Sequence, residues 1–495
     1  MLPDESRILR DRLVPAPAQF HLASGNPLRI QDDCEVSLCT DSDAAESPAE
    51  TRRLFKTYWG ARPKLRPGAP SGAPLEKEAY RLEVKPDGIV LRSGGLAGVR
   101  HALSTLRQLA EAERGVEKHA HYLLAPCRIE DAPALPFRGV HLCFFPETEV
   151  FEIEKNLRLA AQYKFNHVVL ECWGIFPWKS HPDFSWADRR VSRSDLARLV
   201  RLAGELGLTL IPQFNLLGHA SASRAMAGKH AILDFKPSLQ SLFEPDGWSW
   251  CLTNGRTRGI LTDLVVELHE FFGRPPYFHI GFDEADNLGT CAACRKRESK
   301  ALVKEHLLYF HGLLASRGAK TILWHDMLVQ NDDPRWKGGY TACGLPEQGL
   351  SELHRELPKD LILADWQYDY PSKDGAEPSW PTTRFFKEQG FPLLVCPWDN
   401  AKGIRSLGEL ARKEGLFGLL ATTWHHQHDE ELCRIYHHAA KASWEKEPDW
   451  STSHLVQRLM FAHHQRLTGW DMGVKHYRKT GSAQYQLPQH TWPSR

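Results

Sequence analysis

The chain has 495 residues, too many for one ordinary domain and enough for two or three. Its 62 Lys and Arg against 61 Asp and Glu leave a formal net charge of +1, which excludes a global field for gathering nucleic acid or an anionic membrane. With 42% hydrophobic and 25% charged residues the composition is that of a soluble globular chain, and disorder, collagen and coiled coil do not fit it.

The N-terminal stretch is charged from Asp4 onward and lacks the apolar segment of a signal peptide, so a cytoplasmic protein is expected. No run approaches the roughly 20 apolar residues that span a bilayer. Eleven scattered Cys fit a reducing compartment. Cys291 and Cys294 form a CxxC, but no second Cys or His pair follows at zinc-ribbon spacing, so they read as free thiols in a loop.

Residues 1–132 read as a small α+β domain. Pro63 to Pro74 is a Pro/Gly-rich loop. Tyr80–Val84 alternates as a strand, with Gly88–Arg92 as its hairpin partner, and Gly98–Glu113 has the apolar spacing of an amphipathic helix. The proline cluster from Ala132 to Pro136 marks a boundary.

Residues 133–430 change rhythm, to short apolar strands alternating with helices. Strands are expected to begin near Gly139, His167, Leu208, Tyr277, Thr321, Leu361, Pro392 and Leu416. Helices are expected over Val150–Lys164, Asp195–Leu206, Arg258–Phe272, Ala301–Ser316, Thr382–Gln389 and Ser406–Glu414. Eight such strands over roughly 290 residues match a (β/α)8 TIM barrel. A doubly wound sheet is the alternative, but no Gly-rich phosphate loop follows any strand. Residues 431–495 read as a C-terminal helical tail packing on the barrel, losing periodicity after Gly469.

In a barrel the active site lies at the C-terminal strand ends. The second strand ends on Glu171 and Trp173, and the third on Gln213 and Asn215 followed by Gly218-His219. The fourth runs His279-Ile-Gly-Phe-Asp283-Glu284. The last four each finish with a Trp: Trp324 before His325-Asp326, Trp366 before Tyr368, Trp398 before Asp399, and Trp424 before His425-His426. Four Trp in one structural position describe an aromatic-walled pocket, on which apolar sugar faces stack. Four of the chain's 16 Trp fall at these successive strand ends, whereas most of its 25 His have no role readable from the sequence. His425, His426 and His428 cluster in sequence but have no carboxylates at metal-ligand spacing, so solvated or core His is expected rather than a metal hydrolase.

Asp283 and Glu284 are the pair that can carry chemistry. Adjacent residues on a strand point to opposite sides, but where the chain turns both can face the mouth. Neighbouring carboxylates push their pKa values apart, as glycoside cleavage requires. An Asp that merely caps the next helix is the alternative, which the preceding HIGF and the Trp-lined neighbours disfavour.

The hexamer His279–Glu284 resembles the H-x-G-x-D-E signature of the family 20 glycoside hydrolases, the β-N-acetylhexosaminidases. Arg138-Gly139, the segment Ile211–Ala220, Cys251–Asn254, and the N-terminal Glu78–Leu82 and Thr105–Leu109 resemble further parts of that family. The resemblance implies exo-acting, retaining, substrate-assisted hydrolysis of terminal N-acetylglucosamine or N-acetylgalactosamine, without metal or organic cofactor. Carried onto this chain it makes Glu284 the general acid/base and Asp283 the group that orients the acetamide. It makes Trp324, Trp366 and Trp424 the walls, with His219 and His279 as supports.

Several positions depart from the family. Its Arg for the sugar 3- and 4-hydroxyls is Pro146 here, and its second-strand D-D-Q is Glu171-Cys-Trp173. The Glu after Ile-Pro is Gln213, and Trp398-Asp399 stands for its Tyr-x-Asp, with Tyr368 as substitute. These features resemble the divergent branch that includes hexosaminidase D and accepts N-acetylgalactosaminides, in which Glu171 or Glu147 would bind the hydroxyls. A same-fold glycosidase acting on a non-acetylated sugar, and a silent sugar-binding protein, remain as alternatives. The expected partner is a small-molecule or glycan substrate, not nucleic acid or a membrane; oligomeric state is not readable.

Overall fold

Strands buried on both faces need no polar alternation, and the short apolar runs after Pro136 form such strands. The computed structural model describes residues 6, 9–30, 34–41, 52–56, 63–68, 73–112, 122–185, 191–221, 232–372, 375–427 and 430–451. Eight parallel strands close in chain order into a barrel. They are Phe137–Phe144, His167–Cys172, Thr209–Gln213, Tyr277–His279, Lys320–Trp324, Ile362–Trp366, Leu393–Cys396 and Gly418–Thr422. The first pairs with the eighth, Gly139 beside Leu420. The (β/α)8 architecture is therefore as expected.

The barrel interior is a separate apolar cluster, with Val169, Ile211, Ile322, Ile362 and Leu394 below Trp324. A larger core lies between the strands and the outer helices. Those helices are Val150–Gln162, Arg193–Leu206, Gly255–Phe271, Ser299–Ser316, Pro381–Glu388 and Ala401–Glu414. Polar caps set their starts: Ser192 accepts from Asp195 N–H, and Asn400 accepts from Lys402 and Gly403 N–H. The Asn400 cap starts its helix at Ala401, ahead of the Ser406 expected from periodicity. The helix Glu430–Trp444 packs on the helix Ala401–Glu414 and on the last strand. The remainder of the expected tail, from residue 452, lies outside the described residues.

The N-terminal region carries a six-stranded mixed sheet in the order Gln19–Leu22, Cys127–Asp131, Tyr80–Lys85, Gly88–Ser93, Glu35–Thr40, Lys64–Pro67. The hairpin Tyr80–Lys85/Gly88–Ser93 is as expected, with Leu96–Leu109 packed across it. Two details differ. Lys64–Pro67, read as loop, is an edge strand beside Glu35–Thr40, a position where Pro67 removes no needed donor. The helix stops at Leu109 instead of Glu113, because Glu111–Ala112 pairs with Tyr122–Leu124, a long-range partner that helical periodicity cannot show.

A buried polar knot ties this region to the barrel. Lys164 Nζ donates to Asp131 Oδ2 at 2.8 Å and to Tyr80 Oη at 3.0 Å, while Trp444 Nε1 donates to Asp131 at 3.0 Å. Arg138, wholly buried on the first strand, forks onto Glu78 at 2.7 and 3.1 Å. Removing one partner of such a pair strands a buried charge. Asp131→Ala should cost about 3–5 kcal/mol in urea unfolding, more than Asp131→Leu combined with Lys164→Met. A single-substitution loss near zero would contradict this knot.

Candidate active site

The fourth strand ends at His279, and the chain then turns through left-handed backbone at Gly281 (φ 65°), Phe282 (φ 87°) and Glu284 (φ 50°). That turn breaks strand alternation, so the adjacent Asp283 and Glu284 line one cavity. Two glycines make room for it. A Cβ on Gly281 would overlap the Asn215 side chain, and one on Gly218 would overlap the Asp283 carbonyl.

Three neighbours hold the turn. Asn215 Nδ2 donates to Asp283 Oδ1 at 2.7 Å. Glu284 N–H donates to Asp326 Oδ2 at 2.9 Å, and Glu284 C=O accepts from Trp248 Nε1 at 2.6 Å. His219 Nε2 lies 3.2 Å from Asp283 Oδ2 and 3.3 Å from Glu284 Oε2, so one imidazole bridges both carboxylates. The two carboxylates differ in setting: the side chain of Asp283 is 7% exposed and that of Glu284 46%. Asp326 is buried, and burial together with the Asp283 charge pushes its carboxyl up to about 6.

The cavity, about 530 Å³, is walled by aromatic rings. Trp324, Trp366, Trp398 and Trp424 all line it, as the strand-end pattern predicts, and so does Tyr368. Tyr368 Oη accepts from Trp424 Nε1 at 2.8 Å, and its ring lies 4.9 Å from Trp366 and 5.4 Å from Trp398. Trp366 Nε1 donates to Asp326 Oδ1 at 3.0 Å, so one buried carboxylate fixes both a wall and the backbone of Glu284. Phe145 and Trp173, 4.8 Å apart, complete the rim.

Other predicted residues lie off the cavity wall. Glu171 is 2% exposed and sits beneath it, accepting from Trp173 Nε1 at 3.1 Å and Gln213 Nε2 at 2.9 Å. His279 is fully buried, accepts from Gly281 N–H at 3.0 Å, and supports Trp324 with ring centroids 4.4 Å apart. Asp399 pairs at 3.8 Å with His426 beside the cavity, and Glu147 is exposed outside it. His425 lines the wall, and His428 lies outside the described residues. Among the described lining residues there is no Arg.

Asn215, Asp326 and Trp248 received no role from the sequence. Asn215 and Asp326 stand at strand ends, the one available signal; Trp248 comes from a loop and had none. Asp326→Asn puts an amide donor against one of two N–H donors, a conflict that costs about 1–3 kcal/mol. It should lower kcat/KM roughly tenfold or more with the fold retained, measured by steady-state kinetics beside circular dichroism. Unchanged kinetics would show that Asp326 does not hold the turn.

Residues 11–132 match the sequence model described as glycosyl hydrolase family 20, domain 2, and residues 178–374 match the catalytic domain of the same family. A β-hexosaminidase of Porphyromonas gingivalis is 26% identical over 53% of this chain and 37% of its own length. A β-hexosaminidase of Akkermansia muciniphila is 26% identical over 61% of this chain and 66% of its own. The chain thus spans less than two thirds of either relative. The crystal structure of a family 20 exo β-N-acetylglucosaminidase from Vibrio harveyi, in complex with N-acetylglucosamine, superposes with a TM-score of 0.70 at 17% identity. It covers 93% of this chain and 78% of that one, and shares the fold. With two domain models of one family matched in the order of its N-terminal sheet and barrel, the chain belongs to glycoside hydrolase family 20.

Proposed function

We propose that the protein is an exo-acting β-N-acetylhexosaminidase that removes a terminal N-acetylhexosamine with retention, using the substrate's own acetamide as nucleophile. The observation that carries this reading is the Asp283–Glu284 pair, turned into one aromatic-walled cavity and bridged by His219. Glu284, the more exposed, protonates the leaving glycosidic oxygen as the acetamide oxygen bonds to the anomeric carbon and the glycosidic bond breaks. Asp283, fixed by Asn215, accepts the acetamide N–H and balances the positive charge of the oxazolinium ring. Glu284 then takes a proton from water as water opens that ring. Trp324, Trp366 and Trp424 hold the acetamide in a dry space that strengthens these interactions. The likeness to proteins named β-hexosaminidase supports the same activity.

A second protein carboxylate as nucleophile has less support. Glu171, the candidate for that role, is buried and committed to Trp173 and Gln213. With no Arg fork at the described wall, we propose a preference at the sugar 4-hydroxyl that is looser than a gluco-specific site or inverted toward galacto.

Glu284→Gln should lower turnover of an aryl N-acetylhexosaminide with a poor leaving group by about 10²–10⁴-fold. Near-native turnover would sink the assignment. Side-by-side assays should give an N-acetylgalactosaminide kcat/KM within about tenfold of the N-acetylglucosaminide value, or above it. A gluco preference beyond about a hundredfold would contradict the loose 4-hydroxyl site.

A further inference from the structure

Outside the sugar cavity a second group of reactive side chains meets. Cys291 and Cys294 lie on the loop that follows Glu284, and spacing along the chain leaves them as free thiols. The fold supplies partners that spacing could not. Between the third strand and its helix a short hairpin is closed by Cys251 N–H to Leu242 C=O at 2.9 Å and Glu244 N–H to Ser249 C=O at 2.8 Å. It brings Glu244 and Cys251 against the CxxC. One ligand atom from each of Glu244, Cys251, Cys291 and Cys294 lies within 4.8 Å of all the others.

The separations discriminate between chemistries. Cys251 Sγ is 3.7 Å from Cys291 Sγ and 3.7 Å from Cys294 Sγ. A disulfide needs about 2.05 Å. Sulfurs on a tetrahedral zinc, with bonds of about 2.3 Å, sit about 3.8 Å apart along the tetrahedron edge. The thiols therefore stand at coordination distance rather than bonding distance.

The carboxylate gives an independent sign. Glu244 is wholly buried. Its Oε2 accepts from Cys291 N–H at 2.5 Å and from Thr290 Oγ1 at 3.2 Å. Its Oε1 is buried with no hydrogen bond of good geometry among the described residues, the Cys294 thiol being the donor that faces the carboxylate. A buried carboxylate oxygen without a well-aligned donor is costly, and a cation is the partner that removes the cost. The sulfur side has the donors that thiolates take: Cys294 N–H reaches Cys291 Sγ at 3.3 Å, and Thr253 Oγ1 lies 3.2 Å from Cys294 Sγ. Arg297, three residues past Cys294, is paired with Glu305 and close enough for its charge to favour a Cys294 thiolate.

We propose that Glu244, Cys251, Cys291 and Cys294 hold a structural zinc ion that clamps the hairpin to the loop behind Glu284. Three soft sulfurs exclude magnesium and calcium, and a filled set of four protein ligands suits a structural ion. On binding, S–H bonds give way to Zn–S bonds and the thiol protons pass to the buffer, with no change of oxidation state. The same hairpin carries Trp248, whose indole holds the Glu284 carbonyl, and Ser249 Oγ donates to Asn287 Oδ1 at 2.7 Å across the junction. The ion thus steadies a loop pair that positions Glu284. The site does not depend on the glycosidase reading.

The test is elemental analysis of the full chain, purified without a histidine tag or chelator. About one zinc per chain is expected, falling below about a tenth in Cys251→Ser and Cys294→Ser. Cobalt(II) added to the zinc-depleted, unsubstituted chain should give an intense thiolate-to-cobalt charge-transfer band with tetrahedral d–d bands. That spectrum decides the matter if a variant fails to fold. Zinc-free protein lacking the cobalt spectrum would overturn the proposal. So would full zinc retained by both serine variants, or a disulfide among the three cysteines found by differential alkylation and mass spectrometry.

Discussion

Everything at the mouth of this barrel depends on one backbone constraint: two consecutive carboxylates must face the same space. A strand forbids that, since its side chains alternate. The chain meets the constraint with left-handed residues at Gly281, Phe282 and Glu284, a conformation that non-glycine residues hold only when their surroundings over-determine it. The surroundings do so from three sides. Asn215 comes from just past the third strand, Asp326 from just past the fifth, and Trp248 from the hairpin after the third. Gly218 and Gly281 let those elements approach closely enough.

The same contacts divide the electrostatics. Asp283 is sunk among donors, whereas Glu284, pinned at its backbone, extends a half-exposed carboxylate into the cavity, 3.3 Å from His219. His219 spans the two and is itself braced by Trp248, ring centroids 4.3 Å apart. Asp326 couples this arrangement to the aromatic wall, because the indole of Trp366 and the N–H of Glu284 share its two oxygens. Below Trp324 the dry barrel interior supplies a rigid floor. The positions of both carboxylates are thus set by one connected network.

Much of this was legible in the sequence, and what escaped did so for physical reasons. Near-continuous apolar runs identify strands buried on both faces, so the eight barrel strands and the Trp residues at their ends could be placed. The Asp283–Glu284 pair followed from its position at a strand end. Glu171 shows the limit: it too stands at a strand end, but whether such a side chain reaches the cavity or stops under it depends on the stagger between strands. Here the register sets Glu171 beside Gln213 and Cys143, beneath Trp173. Asn215 and Trp248 act through contacts between loops, and Cys251 meets Cys291 through the fold alone. Local spacing carries no record of such encounters.

In the proposed mechanism the substrate's acetamide, not a protein carboxylate, attacks the anomeric carbon. The direct measurement is kcat/KM across aryl 2-acylaminoglycosides whose acyl group carries zero to three fluorines. Fluorine weakens the acyl oxygen as a nucleophile while changing its size little. Participation predicts a steep, progressive fall in kcat/KM with each fluorine. A flat series would contradict it and return the nucleophile to the protein.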